Sequence, residues 1–352
     1  MGLIKKPFGF VEGEEAFLFQ LSNGNISVEI TNYGCTIVSI FTPDNRGNKS
    51  NIVAGFNNLS QYEQDEAYLG CIVGRFTNRI AYGRFSVDNV QYQLPTNSGL
   101  NHLHGGLQGF NRKVWKVERT IQNDDDVGIV FSYLSKDGEE GYPGNLSVTV
   151  SYCLNSKNEL SIRFNAVTDK ATIISLTNHA YFNLSGFEED TVHNHTLQIN
   201  ADSYTVKNEN NTSSGEIALT EETPLHFYAP KAIGKDIHQL KSDKGYDHNF
   251  VLKNDHQNLG LAAQLYHEGS GRLLKIFTNQ PGMQMYTANW WDGTVIGSQG
   301  EPYRKHGAVA LETQAFPDAP NHSSFPNAIL KPGEVYNKLT VFKFLNDETI
   351  EV

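Results

Sequence analysis

The sequence has few cysteines and no long hydrophobic run. Cys35, Cys71 and Cys153 are odd in number and widely spaced, and no CxxC pair occurs. A disulfide framework and a thiolate metal site are therefore not indicated, and we expect reduced thiols in a cytoplasmic protein. No apolar stretch approaches the roughly 18 residues that span a bilayer, and the N-terminus lacks the apolar run of a signal peptide. We therefore expect no membrane partner.

Positive charge is also scarce. The chain has 28 Lys and Arg against 39 Asp and Glu, which gives a formal net charge of −11. A nucleic-acid-binding protein needs a basic surface that displaces counterions, so we expect no nucleic-acid partner. The acidic balance also disfavours a polyanionic substrate. A long Pro/Gly/Ser linker and a repeat of fixed period are missing as well. This favours one domain over residues 1–352.

Alternation of apolar and polar residues is the pattern that recurs along the chain, and it is typical of strands with one buried face. Short turns separate pairs of such segments, which predicts hairpins over residues 85–94, 146–166 and 261–278. Residues 338–344 (KLTVFKF) are also strand-like, whereas residues 231–240 are at best a short helix. Strands joined without intervening helices predict an all-β protein with a single large antiparallel β-sandwich. That fold alone does not define a function.

Two short segments place basic side chains among apolar or glycine residues. In GRFTNRI (residues 74–80), a half-buried Arg79 would need hydrogen-bond acceptors. The hydroxyls of a sugar would supply them to its planar guanidinium, and so would a structural ion pair. In NHLHGG (residues 101–106), His102 and His104 are two positions apart and would face opposite sides of a strand. No further ligands follow at short spacing, so no metal site is expected.

Two other segments contain candidate acid–base groups. In TNHAYFNLSG (residues 177–186), His179 stands close to Tyr181, so a titratable ring could meet a ligand against an aromatic wall. In ALETQAFPDAPNH (residues 310–322), Glu312 follows an apolar run that a strand would bury. Burial without a cation raises the pKa of a carboxyl group above about 4.3 and makes it a stronger base. A structural pairing of Glu312 with an arginine is the alternative.

Seven segments, taken in order, resemble the galactose mutarotase (aldose 1-epimerase) family. They are GRFTNRI, LHGG, TNHAYFNLSG, GYDHNF, QMYTANWW, LETQAFPDAPNH and ILKPGEVY, and they extend from Gly74 to Tyr336. The stretch GFNNLSQYEQDEAYLG before them resembles the family more loosely. The resemblance implies a galactose mutarotase-like supersandwich. It also implies an enzyme that interconverts the α and β anomers of free hexoses such as galactose and glucose.

The resemblance also implies roles for particular residues. His179 looks like the proton donor to the ring oxygen, and Glu312 looks like the base that removes the proton of the anomeric hydroxyl. Tyr181 would contribute to the wall of the pocket. Positions that contact the sugar in relatives correspond to Asn78, Arg79, His104, Asp247 and Gln284.

Anomer exchange needs one acid and one base on opposite sides of the bond that opens, each contributing about 10²- to 10⁴-fold. No hydride moves, so we expect no cofactor. The partner would be a small monosaccharide, and the protein would be a monomer or a homodimer.

Three other functions remain open from the residues. A hexose-6-phosphate 1-epimerase of the same fold would need extra Lys or Arg for the phosphate. A non-catalytic carbohydrate-binding protein could use Trp115, Trp290 and Trp291 as a stacking platform. A glycoside hydrolase would need two carboxylates, for which Glu312 and Asp247 are the candidates.

Overall fold

The computed structural model describes residues 1–346, and these residues form mostly β-strands. In the first half of the chain the strands are β1 (Gly2–Val11), β2 (Glu14–Ser22), β3 (Ser27–Thr31), β4 (Thr36–Pro43), β5 (Lys49–Asn51), β6 (Ile72–Val73), β7 (Arg79–Ile80), β8 (Arg84–Val87), β9 (Val90–Gln93), β10 (His102–Leu103), β11 (Lys116–Gln122), β12 (Asp126–Ser135), β13 (Leu146–Asn155) and β14 (Glu159–Thr168).

The second half continues the same pattern. Its strands are β15 (Thr172–Ile173), β16 (Thr177–Asn178), β17 (Tyr181–Phe182), β18 (Thr196–Ile199), β19 (Ser203–Lys207), β20 (Ser213–Leu219), β21 (Lys231–Ala232), β22 (Asp247–Val251), β23 (Gly260–His267), β24 (Arg272–Thr278), β25 (Gly282–Tyr286), β26 (Val309–Gln314), β27 (Ile329–Leu330) and β28 (Tyr336–Asn346).

Helical structure is limited to short pieces. Within residues 1–346 the α-helix α1 covers Leu59–Glu63, and none of the described helices is long and apolar enough to cross a bilayer. Short 3₁₀ turns occupy Ala81–Gly83, Phe110–Arg112, Glu139–Gly141, Ile233–Lys235, Ile237–Gln239 and Ala319–Asn321. The segment 231–240, expected to be at best a short helix, forms strand β21 and two of these turns.

Three large sheets organise the fold, and their strand pairs are antiparallel. The first sheet has the order β1-β2-β3-β4-β5, and the second has the nine-stranded order β11-β12-β13-β14-β28-β24-β23-β18-β21. The third sheet has the six-stranded order β17-β26-β25-β22-β19-β20. The predicted all-β antiparallel architecture is confirmed.

The predicted hairpins are also present in the structure. β8 pairs with β9, β13 with β14, and β23 with β24. Between β8 and β9, Asp88 and Asn89 have φ angles of 51° and 63°. Two successive residues with positive φ are typical of the type I′ turn, whose twist matches that of the flanking strands. The closing strand β28 lies inside the second sheet, between β14 and β24.

One apolar core connects the three sheets. Its buried side chains include Phe19 from the first sheet, Phe164 from the second, and Met283 and Leu311 from the third. Trp115 belongs to the same cluster and is fully buried. A stacking platform of Trp115, Trp290 and Trp291 is therefore wrong, because a core side chain cannot meet a ligand.

Two glycines of the sequence motifs make a close backbone contact. Gly105 has a φ angle of +90°, and a Cβ atom added to it would lie 1.8 Å from the carbonyl oxygen of Gly74. Only a residue without a side chain fits such an approach. The contact fixes the backbone next to His104.

We expect Gly105→Ala to destabilise the protein more than Gly47→Ala does. Gly47 has a similar φ of +85° with no atom near an added Cβ, so its substitution carries only the conformational cost of about 1–2 kcal/mol. The clash at Gly105 should add about 1–3 kcal/mol. Urea unfolding of both variants measures the difference, and equal losses would contradict the close contact.

Candidate active site

A cavity of about 660 Å³ lies over one face of the third sheet. Its lining includes every residue for which the sequence predicted a role. These are Asn78, Arg79, His104, His179, Tyr181, Asp247, Gln284 and Glu312. Residues separated by more than 200 positions in the chain therefore meet around one space of a size typical for a small-molecule site.

Strand register places the carboxylates and the amide on one face of the third sheet. Glu312 on β26 is directly opposite Gln284 on β25. Asp247 on β22 is opposite Tyr286, two positions further along β25 and therefore on the same face. Leu311, which precedes Glu312 on β26, points to the other face and belongs to the apolar core. The alternation along β26 thus buries Glu312 and still leaves it beside the cavity.

Loops place the other polar groups above this face. His179 lies between β16, which pairs with β6, and β17, which pairs with β26. Asn78 and His104 flank the short β7–β10 pair and have φ angles of 65° and 52°. Backbone in this left-handed region is uncommon for residues other than glycine, and it often occurs at functional sites.

The two histidines of NHLHGG have separate environments, as their spacing predicted. His102 is a core residue whose Nδ1 lies 2.7 Å from the Pro95 carbonyl oxygen and whose Nε2 lies 2.6 Å from the Tyr142 hydroxyl. His104 lines the cavity, and its Nδ1 accepts a hydrogen bond of 3.2 Å from the Asn78 N–H. Burial and the neighbouring His179 lower the pKa of His104 well below its usual value. The neutral ring therefore carries its proton on Nε2.

His179 and Glu312 form a buried pair that lines the cavity. The His179 Nε2 lies 3.4 Å from the Glu312 Oε1, and the two side chains are 4% and 2% exposed. The His179 Nδ1 and the Glu312 Oε2 have no hydrogen-bond partner among the described residues. Both residues line the cavity, so a polar ligand bound there would meet this pair.

Burial shifts both members of this pair towards their neutral forms. It raises the pKa of Glu312 well above its ordinary value, with a further increase from Asp247 and an opposing effect from Arg79. It also lowers the pKa of His179 to about 4. The predicted increase in the basicity of Glu312 is therefore present. The side chain next to Glu312 is His179, whereas Arg79 pairs with Asp247.

Arg79, Asp247 and Gln284 form a second polar group in the cavity, next to Glu312 across the β25–β26 ladder. The Arg79 Nη1 lies 3.8 Å from the Asp247 Oδ2, and the Gln284 Nε2 donates a hydrogen bond of 2.5 Å to the Asp247 Oδ1. Burial acts to raise the pKa of Asp247, but the positive charges of Arg79 and Lys207 outweigh it, so that the pKa is lowered. Asp247 is therefore an ionised acceptor beside two donors.

Three cavity residues are also of the types that bind metal ions. Candidate ligand atoms of His104, His179 and Glu312 lie within 4.8 Å of one another. Two imidazoles and a carboxylate are a known zinc ligand set, but metal–ligand distances of about 2.0–2.2 Å require closer spacing than this. The His179 Nε2 and Glu312 Oε1 are already 3.4 Å apart, so an ion at this position would require only the more distant atoms of the group to move closer.

Aromatic side chains form a wall of the cavity that the sequence motifs indicated only in part. Tyr181 lies 4.8 Å from His179 between ring centroids, and Trp291 lies 5.0 Å from Tyr181. Tyr303 and Tyr68 extend the wall, with Tyr303 4.9 Å from Trp291. The only sequence signal for Tyr68 was its position in the segment that runs up to GRFTNRI.

The fold and site together define a β-sandwich protein with a polar, aromatic-walled cavity that contains a buried histidine–glutamate pair. The family model described as aldose 1-epimerase matches residues 18–343. The chain is 42% identical over 326 residues to galactose mutarotase of Bos taurus, with 93% of each protein covered. It is 35% identical over 330 residues to aldose 1-epimerase of Escherichia coli K12, covering 92% of this chain and 93% of the relative. The chain belongs to the aldose 1-epimerase family of isomerases.

Solved structures agree with this assignment. An aldose epimerase homologue from C. elegans superimposes with a TM-score of 0.87 at 30% identity, covering 95% of this chain and 100% of the other. Galactose 1-epimerase from Lactobacillus acidophilus gives a TM-score of 0.87 at 28% identity, with 99% of each chain covered. The predicted galactose mutarotase-like fold is confirmed.

We expect the imidazole of His179 to titrate near pH 4 in the sugar-free protein, well below the ordinary value of about 6.5, because burial disfavours the charged ring. The chemical shift of its Cε1–H proton, followed by NMR against pH and assigned by its loss in His179→Asn, measures this. A midpoint close to 6.5 would show that the ring is not desolvated.

Proposed function

We propose that this protein interconverts the α and β anomers of free hexoses such as galactose and glucose, with His179 and Glu312 as the acid–base pair. The observation that carries the proposal is the buried pair itself. Both side chains line a cavity of suitable size for a sugar. The names of the relatives, galactose mutarotase and aldose 1-epimerase, support the same reaction.

Ring opening requires two proton transfers and the cleavage of one bond. The Glu312 carboxylate takes the proton of the anomeric hydroxyl, and the His179 imidazolium gives a proton to the ring oxygen. The bond between the anomeric carbon and the ring oxygen breaks, which leaves an open-chain aldehyde. After rotation of the carbonyl end, the reverse transfers close the ring on the other face, so no proton is gained or lost overall.

The proposed proton transfers are compatible with the pKa shifts of His179 and Glu312, because the two residues share one titratable proton. A neutral His179 with a protonated Glu312 holds one proton, and so does an imidazolium with a carboxylate. These two forms exchange by moving a proton within the pair, and their ratio does not depend on pH. Burial keeps the neutral form the major one, and attraction across 3.4 Å lowers the free energy needed to reach the charged form, which is the reactive one. The pair can therefore react at neutral pH although burial favours the neutral forms.

The remaining cavity residues are suited to holding the sugar while its anomeric end turns. Arg79 and the Nε2–H of His104 are donors, Asp247 is an ionised acceptor, and Gln284 and Asn78 offer amide groups. Fixed hydroxyls keep the reacting atoms in place, and such orientation is a large part of catalysis. Tyr181 and the aromatic wall provide an apolar surface for the carbon face of the ring.

The charges around the cavity argue against a phosphorylated sugar. Its lining contains the carboxyl groups Asp65, Glu66, Asp247 and Glu312 and a single guanidinium, that of Arg79, which already faces Asp247. A phosphate dianion would need donors that are not engaged. A non-catalytic sugar-binding role would leave the buried His179–Glu312 pair without a purpose, and the isomerase relatives argue against a hydrolase. We keep a monomer or homodimer in the cytoplasm as a prediction.

Polarimetry on freshly dissolved α-galactose tests the function. The protein should accelerate the relaxation of optical rotation to the same final value as without enzyme. With glucose 6-phosphate the rate of relaxation should rise at least about tenfold less than with galactose, because the phosphate would meet a lining rich in carboxylates. If galactose relaxed at the uncatalysed rate while glucose 6-phosphate relaxed rapidly, the hexose-6-phosphate 1-epimerase would be favoured. Release of nitrophenol from a nitrophenyl galactoside would favour a hydrolase.

Glu312→Gln and His179→Asn should each reduce kcat by at least about 10²-fold, because each removes one proton-transfer group. Circular dichroism should show that both variants are folded. The exposed residues Glu118 and His238 offer matched controls, and Glu118→Gln and His238→Asn should keep full activity. A folded Glu312→Gln or His179→Asn variant with near wild-type turnover would refute the assigned roles.

A further inference from the structure

His179 has few hydrogen bonds to fix the direction of its ring. Its Nδ1 has no partner among the described residues, and its Nε2 faces Glu312 at 3.4 Å. Two tyrosines flank the ring instead. Tyr181 lies 4.8 Å away with an interplanar angle of 32°, and Tyr68 lies 6.1 Å away at 21°. Tyr68 also lies 4.7 Å from His104. These two rings, together with that of His104 at 5.3 Å, limit the positions that the imidazole can take.

The two tyrosines are held in different ways. Tyr181 is part of β17, and its backbone pairs with Ala310 of β26. Tyr68 lies outside the strands, in a segment that follows α1, and has a φ angle of 59°. A residue with a side chain adopts this left-handed backbone only when its surroundings impose it.

The carboxylate of Asp65 binds the backbone on both sides of this residue. The Asp65 Oδ1 accepts a hydrogen bond of 2.8 Å from the Ala67 N–H, and the Oδ2 accepts one of 2.7 Å from the Leu69 N–H. These two amides flank Tyr68 in the chain. The two bonds therefore bracket the strained residue, one from each carboxylate oxygen.

Further contacts anchor Asp65 itself. The Arg112 Nη2 donates a hydrogen bond of 2.9 Å to the Asp65 carbonyl oxygen, and the Nη1 of the same guanidinium donates to the Glu63 carbonyl oxygen. Burial raises the pKa of the Asp65 carboxyl to about 6, against the opposing effect of the two amide bonds and Arg112. The group is therefore mostly ionised at neutral pH and can accept with both oxygens.

We propose that Asp65 is a positioning residue of the active site, which fixes Tyr68 against His179 and His104 and thereby orients the imidazole of His179. The proposal rests on the proposed function, because the reaction is what the orientation serves. Asp65 needs no contact with the sugar in this role. It acts through the backbone on either side of Tyr68.

Asp65→Ala removes both acceptors, and Asp65→Asn keeps one carbonyl oxygen. We expect kcat with galactose to fall by about 10- to 100-fold in Asp65→Ala and by less in Asp65→Asn, with KM changing less than kcat, since misorientation affects the chemical step most. Tyr68→Ala should lose about as much activity as Asp65→Ala. The double variant should be no worse than Tyr68→Ala, because both changes remove the same contact.

Asp44 provides the matched control. Its Oδ1 accepts hydrogen bonds of 2.8 Å from the N–H groups of both Arg46 and Asn48 in an exposed turn. Asp44→Ala thus removes a comparable turn-forming carboxylate away from the cavity, and it should leave kcat and KM unchanged. Kinetics of Asp65→Ala equal to those of Asp44→Ala would overturn the proposal. Independent, multiplicative losses in the double variant would also overturn it.

A second measurement does not depend on turnover. The Cε1–H resonance of His179 senses the ring current of Tyr68, so Asp65→Ala and Tyr68→Ala should shift it in the same direction, and Asp44→Ala should not. If wild type fails to accelerate mutarotation, the proposed function fails, and this shift still decides whether Asp65 orients Tyr68. An unshifted resonance in folded Asp65→Ala, or in Asp65→Asn if the alanine variant does not fold, would refute the positioning role.

Discussion

The alternation of side chains across the six-stranded third sheet is the constraint on which the site depends. Along β26, Leu311 and Thr313 face the interior, where the Thr313 hydroxyl lies 2.6 Å from that of Thr340 on the second sheet. Glu312 points the other way, into the cavity. A register slip of one residue would exchange these faces and put the carboxylate into the apolar core. The pKa shifts and the pairing with His179 both follow from holding this register.

Sequence patterns were sufficient for the regular parts of the fold. The hairpins, including the tight turn at Asp88 and Asn89, followed from period-two alternation between turn residues. The eight site residues came from resemblance to the family. The chemistry of these side chains was consistent with functional roles. For several of them it was equally consistent with a structural ion pair or a position in the core. His102 and His104 show why, because one histidine is a core residue and the other lines the cavity.

The rest could not be predicted, because it depends on contacts between loops. Tyr68 and Asp65 lie in a segment without strand or helix periodicity, and only the structure shows that two amide bonds flank a strained tyrosine. For Trp115 the sequence suggested a possible functional role that the structure does not support. The side chain could in principle stack on a sugar, but it is buried in the core. The 3₁₀ turns within residues 231–240 are too short for a pattern to separate them from an α-helix.

Two glycines of the sequence motifs allow segments that are far apart in the chain to pack closely against each other. Gly105 fits against the Gly74 carbonyl, which joins LHGG to GRFTNRI. Gly245 has a φ angle of +153°, and an added Cβ would lie 2.1 Å from the Asn289 Oδ1, which joins GYDHNF to QMYTANWW. Each pair brings a cavity residue next to another segment that lines the cavity.

Burial of the His179–Glu312 pair has a consequence for the stability of the protein as a whole. The two side chains are 4% and 2% exposed, and removing such a pair from water costs free energy that the attraction between its members regains only in part. Native proteins are stable by only about 5–15 kcal/mol. The proposed acid–base pair therefore lowers stability locally, and packing in the rest of the protein must outweigh this loss. Apolar replacements of similar shape could strengthen the fold while abolishing the chemistry, so thermostability and catalysis make opposing demands on the same few side chains.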